Sequence, residues 1–153
     1  MVIDTTITKM LDLKLSTTKF LESIANDILK VKINHQFEKD LAIERDTFLF
    51  FKNYDNPVIW SVSILDRSCL TDIEYHLLMN SDLPIGRIFN DVKSETYLNK
   101  SNIDIVMGEH EIASSRLNIN SSIVFEKKYD LIVANRKIGV ITEFFNEESL
   151  ARL

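Results

Sequence analysis

Two charged residues stand where strand chemistry does not favour them. Glu143 lies inside "KIGVITEFF" (137–145) and Arg45 heads the apolar part of "ERDTFLFF" (44–51). Strand side chains alternate between faces, so Glu143 shares one with Gly139, Ile141 and Phe145, while Ile138, Val140, Thr142 and Phe144 take the other. Neither face reads as solvated. A buried carboxylate needs a partner, a hydrogen bond or a proton. By the same parity Arg45 shares a face with Ile43, Thr47, Leu49 and Phe51. Two chemistries satisfy this pattern. One is structural: an Arg45–Glu143 bridge, or Glu143 paired with Lys127 or Lys128 on the neighbouring strand. The other is a pocket between sheet and helices. There Arg45 holds an anion in a bidentate fork, and Glu143 meets a hydroxyl or moves a proton. Both stay open at this level.

The remaining composition narrows the chemistry. The chain has 153 residues, 45% hydrophobic and 27% charged, with a net charge of -5. That length suits one domain over 1–153 with a core of its own. The acidic balance argues against a nucleic-acid partner, and no apolar run approaches a membrane span. Gly86, Gly108 and Gly139 are isolated, which excludes a glycine-rich phosphate loop or a dinucleotide fingerprint. His35, His76 and His110 lie far apart without Cys or His neighbours at ligand spacing, so no metal site is expected. The single cysteine, Cys69 in "DRSCLTDIEYHLL", reads as a packed small residue and fits a reducing compartment. No signal peptide is read at the N-terminus. High Ile, Asn and Lys usage fits an AT-rich genome, so the expected compartment is the cytoplasm or a plastid stroma.

The elements that must position Arg45 and Glu143 follow from periodicity. Ile7, Met10, Leu11 and Leu15 give a helical stripe over 4–14. "STTKFLESIANDIL" gives a second helix with Ser16 as its N-cap. "LKVKINHQF" alternates as a strand, and "RDTFLFFKNYDNPVIWSVSIL" reads as two strands around a turn at "KNYDN". "CLTDIEYHLLM" predicts a short helix. "LPIGRIFND" predicts another, with Pro84 at its first position. "NIDIVMGE" and "SSIVFEKKYDLIVA" read as strands, the latter turning at "ANRK" into "IGVITEFF". "NEESLARL" reads as a frayed, solvated end, and Trp60 as a core residue. Helices first and then mostly strands, without regular alternation, point to an α+β fold with a mainly antiparallel sheet.

In order and rough spacing, "STTKFLE", "ERDTFLFF", "LPIGRIF" and "KKYDLIVANRKIGVITEFF" resemble the motifs of the chorismate pyruvate-lyase family, over about residues 10 to 146. The likeness is greater to its short archaeal, mycobacterial and plastid-encoded members than to the classical bacterial enzyme. The resemblance implies a six-stranded antiparallel sheet with helices packed over one face and a buried site. It implies elimination of pyruvate from chorismate to leave 4-hydroxybenzoate, with no metal or cofactor. By motif position, Arg45 would hold the ring carboxylate, Thr17 and Ile85 would offer backbone N–H groups, and Glu143 would face the ring hydroxyl. Arg87, in "PIGRIF", reads either as a further substrate contact or as a helix-surface charge. This chain also departs from the pattern. Relatives of the classical enzyme carry a second Arg in the strand that here reads "VIWSVSIL", so the second carboxylate needs another cation, with Arg87, Arg116 and Lys128 as candidates. The alternative function is a non-catalytic domain of the same fold that binds an aromatic carboxylate.

Overall fold

A computed structural model describes residues 5–89 and 97–153 of the chain. Two helices come first, α1 (Thr5–Asp12) and α2 (Thr17–Ala25). Ser16 caps α2 as its residue type predicts, its Oγ accepting from Lys19 N at 3.3 Å. Asn26, in the left-handed region, ends the helix. Three strands follow, β1 (Leu29–Lys39), β2 (Ala42–Phe51) and β3 (Ile59–Asp66). A 3-10 turn and the helices α3 (Asp72–Asn80) and α4 (Ile85–Ile88) then cross toward the far edge of the sheet. Pro84 is the residue before α4, its N-cap rather than its first helical position. Asn90 and Asp91, the end of the helix expected there, lie outside the described residues, as does Asp4. The chain closes with β4 (Leu98–Glu109), α5 (Glu111–Leu117), β5 (Ile123–Val133), β6 (Arg136–Phe145) and α6 (Glu147–Leu150).

The six strands form one antiparallel sheet in the order β1-β2-β3-β6-β5-β4. This is the α+β architecture that the pattern of elements implies. The β5–β6 connection is the tight turn Ala134–Asn135, both with positive φ, as a two-residue hairpin requires even without glycine. No described helix is long and apolar enough to cross a membrane.

Three elements differ from expectation. The C-terminal stretch is not a frayed end. Asn146 caps α6, donates to Pro57 O and Leu117 O, and is 1% exposed; Leu150 is fully buried. The helix α5 is not signalled by the hydrophobic pattern, because it is short and its cap is His110, an unusual residue there. Its Ala113 and Leu117 join Trp60, Val124 and Phe144 in a cluster on the sheet face turned away from Glu143, so that face is covered in part. Finally, Ile138 does not sit with Phe144. The β5–β6 register shifts between Leu131 and Ile132, and Ile138 packs with Leu131 and Ile141.

The other face carries the main core in two apolar clusters. Leu49, Phe51, Phe125 and Phe145 pack with Ile7, Met10 and Leu21 of α1 and α2. Ile43, Leu65, Tyr129 and Leu131 pack with Leu78 and Ile88 of α3 and α4. Between the clusters lies a polar band, which holds Arg45 and Glu143.

Candidate functional site

The band follows from strand register. Thr47 pairs with Ser61, Ser61 with Glu143, and Glu143 with Lys127. The adjoining row on the same face runs Arg45, Ser63, Ile141, Tyr129. Arg45 and Glu143 are therefore two strands and two residues apart, about 12 Å between Cα atoms at standard sheet spacings. That lets each side chain reach an opposite end of one small ring. Arg45 is 1% exposed and Glu143 2%.

The lid over this band is made by two helix beginnings. Ser16, Thr17 and Thr18 at the start of α2, and Pro84, Ile85 and Gly86 at the start of α4, face Arg45, Thr47, Ser61, Lys100, Tyr129 and Glu143 across a cavity of about 30 Å³. Gly86 makes this approach possible. A Cβ there would sit 2.7 Å from Thr18 Oγ1 and 2.8 Å from Thr18 Cβ, and would also strike Ser16 Oγ. Thr17 and Ile85 are the first residues of their helices. Their N–H groups are among those a helix leaves without an internal acceptor.

The structural pairings expected for Glu143 do not form as drawn. Arg45 does not reach it. Its Nη2 donates to Leu83 O at 2.9 Å, and its buried Nε has no hydrogen-bond partner. Burial pulls the Arg45 pKa down to about 10, with Asp82 acting against that shift. Lys127 stands opposite Glu143 in the ladder, but its Nζ donates to Met10 O (2.8 Å) and Leu13 O (2.6 Å), closing the end of α1. Lys128 points to the exposed side.

The ion pair of Glu143 is instead with Lys100, Nζ to Oε1 3.8 Å. Lys100 Nζ also donates to Thr17 Oγ1 at 2.6 Å, and that hydroxyl donates to Glu143 Oε1 at 3.3 Å. Burial lowers the Lys100 pKa, partly offset by Glu143. Burial first and Lys100 second push Lys127 down to about 7. Burial, then Glu143, holds the Tyr129 phenol well above its usual range, so it stays protonated.

Of the residues singled out from sequence, the fold brings Arg45, Thr17, Ile85 and Glu143 to one cavity. Arg87 does not line it; it pairs with Glu22 on α2 and faces an outer cleft. Arg116 lies on the opposite sheet face, paired with Asp46 at 3.0 Å and set against the Trp60 ring. Lys100 is the cation that sequence reading missed. Its strand begins at Leu98, four residues before the "NIDIVMGE" segment. The register shift between Ser101 and Asp104, with Asn102 at φ 50, also breaks the parity that would have placed it. Among the described residues, no group of three His, Cys, Asp or Glu side chains could hold a metal ion.

Comparison with known proteins agrees with this geometry at the level of fold. Gene product SA0254 from Staphylococcus aureus superposes with a TM-score of 0.57 at 12% identity, over 88% of this chain and 92% of that one. PhnF from Mycobacterium smegmatis gives 0.59 at 7% identity, over 87% of this chain and 64% of that one. YydK from Bacillus subtilis, a possible transcriptional regulator, gives 0.54 at 9%, over 80% and 60%. No curated protein matches the sequence. The sequence profile of the chorismate pyruvate-lyase Rv2949c-like proteins matches residues 3–153, nearly the whole chain, and the chain belongs to that family.

Proposed function

We propose that this chain is a single chorismate lyase-like domain that eliminates pyruvate from chorismate and leaves 4-hydroxybenzoate, without a cofactor. The observation that carries the reading is Arg45: a guanidinium 1% exposed, with an unpartnered Nε, in the wall of a small cavity under the helix beginnings. Such a group is costly unless a ligand completes it, and a carboxylate is the complement of its planar fork. Arg45 holds the ring carboxylate. The Thr17 and Ile85 N–H groups add donors, and Glu143 accepts from the ring hydroxyl at the far end.

The chemistry asks for little else. Aromatisation of the ring supplies much of the driving force, so the protein has to orient the substrate, exclude water and receive the departing group. The cavity of about 30 Å³ has room for water but not for a ring, so the substrate enters by parting the α2 and α4 beginnings from the sheet. The outer cleft beside that seam, lined by Lys30, Lys52 and Arg87 as well as Asp82, draws a dianion toward it. That is the part of Arg87, outside the cavity.

The test is incubation with chorismate, following 4-hydroxybenzoate by absorbance and pyruvate by a coupled assay, alongside calorimetry with 4-hydroxybenzoate. The absence of both pyruvate release and 4-hydroxybenzoate binding would overturn the reading. Binding without release would favour the second one, a non-catalytic domain for an aromatic carboxylate. That alternative has support in the fold shared with YydK, described as a possible transcriptional regulator.

A further inference from the structure

We propose that Lys100 is a catalytic residue: its ammonium receives the enolpyruvyl group as it leaves the ring, taking the place of the second arginine that β3 lacks. This rests on the chorismate reading above. Glu143 marks the hydroxyl end of the ring, and Lys100 Nζ lies 3.8 Å from its Oε1. In chorismate the ether oxygen sits on the ring carbon next to the one that bears the hydroxyl. A cation in contact with Glu143 is thus beside the bond that breaks, and away from the carboxylate held by Arg45.

The arrangement of donors agrees. An ammonium has three N–H groups. One goes to Thr17 Oγ1 at 2.6 Å, and the distance to Glu143 is that of an ion pair rather than a hydrogen bond. Thr17 and the Tyr129 ring, 4.7 Å from Nζ, fix the side chain in place. The Lys127 amine is its other near neighbour, and because Glu143 stands at ion-pair rather than hydrogen-bond distance, the preorganised ammonium keeps an N–H for a developing oxyanion.

The step balances without a co-reactant. The C–H bond at the hydroxyl-bearing carbon breaks, and its electron pair becomes the new ring double bond. The C–O bond at the neighbouring carbon breaks, and its pair leaves on oxygen as the enolate of pyruvate. The proton finishes on the enolate methylene, which becomes the methyl group of pyruvate. Lys100 donates a hydrogen bond to the oxygen while it carries charge and keeps its own proton.

Two measurements decide the matter. The first is Lys100→Met, compared with wild type for pyruvate release and for 4-hydroxybenzoate affinity. The product lacks the enolpyruvyl group, so its affinity should stay within about threefold, while kcat should fall about 100-fold or more, as for loss of one oxyanion donor. Release within about threefold of wild type, or release and product affinity falling in parallel, overturns the assignment and leaves the lyase reading standing. The second uses wild type alone and decides if the variant does not fold. Oxalate, a planar mimic of enolpyruvate, should bind protein already saturated with 4-hydroxybenzoate; no oxalate binding there overturns the proposal. A wild type that neither releases pyruvate nor binds 4-hydroxybenzoate removes the lyase reading itself, and this inference with it.

Discussion

Replacing Arg45 by Met separates a binding guanidinium from a structural one, because the two roles give opposite stability changes. Arg45 is 1% exposed and is left with Leu83 O at 2.9 Å and a buried Nε without a partner. Its pKa falls from its ordinary value to about 10, chiefly through burial, which corresponds to about 3 kcal/mol against the charged form in the folded chain. The group is protonated in both folded and unfolded states at pH 7. That cost is therefore present in full there, and fades only as pH rises through the folded pKa of about 10 toward the higher unfolded one. Met keeps an apolar stem and removes the charge. The Leu83 carbonyl then loses its donor, which costs about 1–3 kcal/mol. Arg45→Met should thus be as stable as wild type, or up to about 2 kcal/mol more stable. For a chain of 153 residues that is a Tm gain of up to about 8 °C. Affinity for 4-hydroxybenzoate should fall by about 2–4 kcal/mol, about 30- to 1000-fold. Urea unfolding and calorimetry on the same preparation read both numbers. If stability drops by about 3 kcal/mol or more, as when one partner of a buried structural pair is removed, and affinity is unchanged, the carboxylate role is refuted.

Arg45→Lys should retain more 4-hydroxybenzoate affinity than Arg45→Ala yet less than wild type, since an ammonium cannot reproduce the fork; equal affinity for all three by calorimetry contradicts this. Glu143→Gln leaves Lys100 without its anion, so stability should fall by about 1–3 kcal/mol while pyruvate release falls about 100-fold or more. Lost stability with release intact would make the acid structural. Gly86→Ala forces α4 away from Thr18 and should cost about 1–3 kcal/mol together with ligand affinity. Gly108→Ala, with open space around it, is the control and should stay within about 0.5 kcal/mol. Lys127 titrates near 7 in the folded chain and near its ordinary value of about 10.4 when unfolded. The unfolded chain thus holds more protons between those values, and stability should rise with pH from about 7 to 10. Lys127→Met should flatten that slope in urea titrations at pH 7 and 9.5, and an unchanged slope would assign it to other groups.

What sequence could read here was parity and order. Alternation along "ERDTFLFF" and "VITEFF" is enough to put Arg45 and Glu143 on the helix-covered face, because β2 runs without a register shift and β6 is regular from Gly139 onward. Ser16 announces α2 because its hydroxyl has a defined acceptor role there. The partners of the two charges were not legible. Whether Arg45 meets Glu143 depends on strand order, and β3 intervenes between β2 and β6. Lys127 looked like the cross-strand partner and is its register neighbour. It turns instead to the α1 carbonyls, which no local pattern predicts. Lys100 is hidden twice, by a strand start that runs upstream of its apolar segment and by the left-handed Asn102 that reverses its face. Ile138 is misplaced for the same reason, a register shift that period-two counting cannot see.

The acid in the apolar run of β6 fits the charge balance of the band. Among the described residues, Glu143 is the buried anion of a band with three buried bases, Arg45, Lys100 and Lys127, exposed 1%, 5% and 0%, while Asp82 and Asp12 act on Arg45 and Lys127 from the exposed side. Burial lowers the pKa of each base, so the folded chain works against its own positive charge. Glu143 relieves part of this at Lys100 and Lys127, and without it the band would be more costly still. A protein selected only for stability would place apolar residues here, since well-packed hydrophobic groups commonly match or exceed a buried ion pair. The excess of cations has a use if the occupant brings two carboxylates. Each added anion then offsets a desolvation cost already incurred in folding, and the attraction acts among buried groups, where screening is weak. The same accounting explains why the lid is tight. Gly86 lets α2 and α4 close to contact, and a wider, wetter cavity would solvate the buried bases and lower the cost that an anionic occupant could offset.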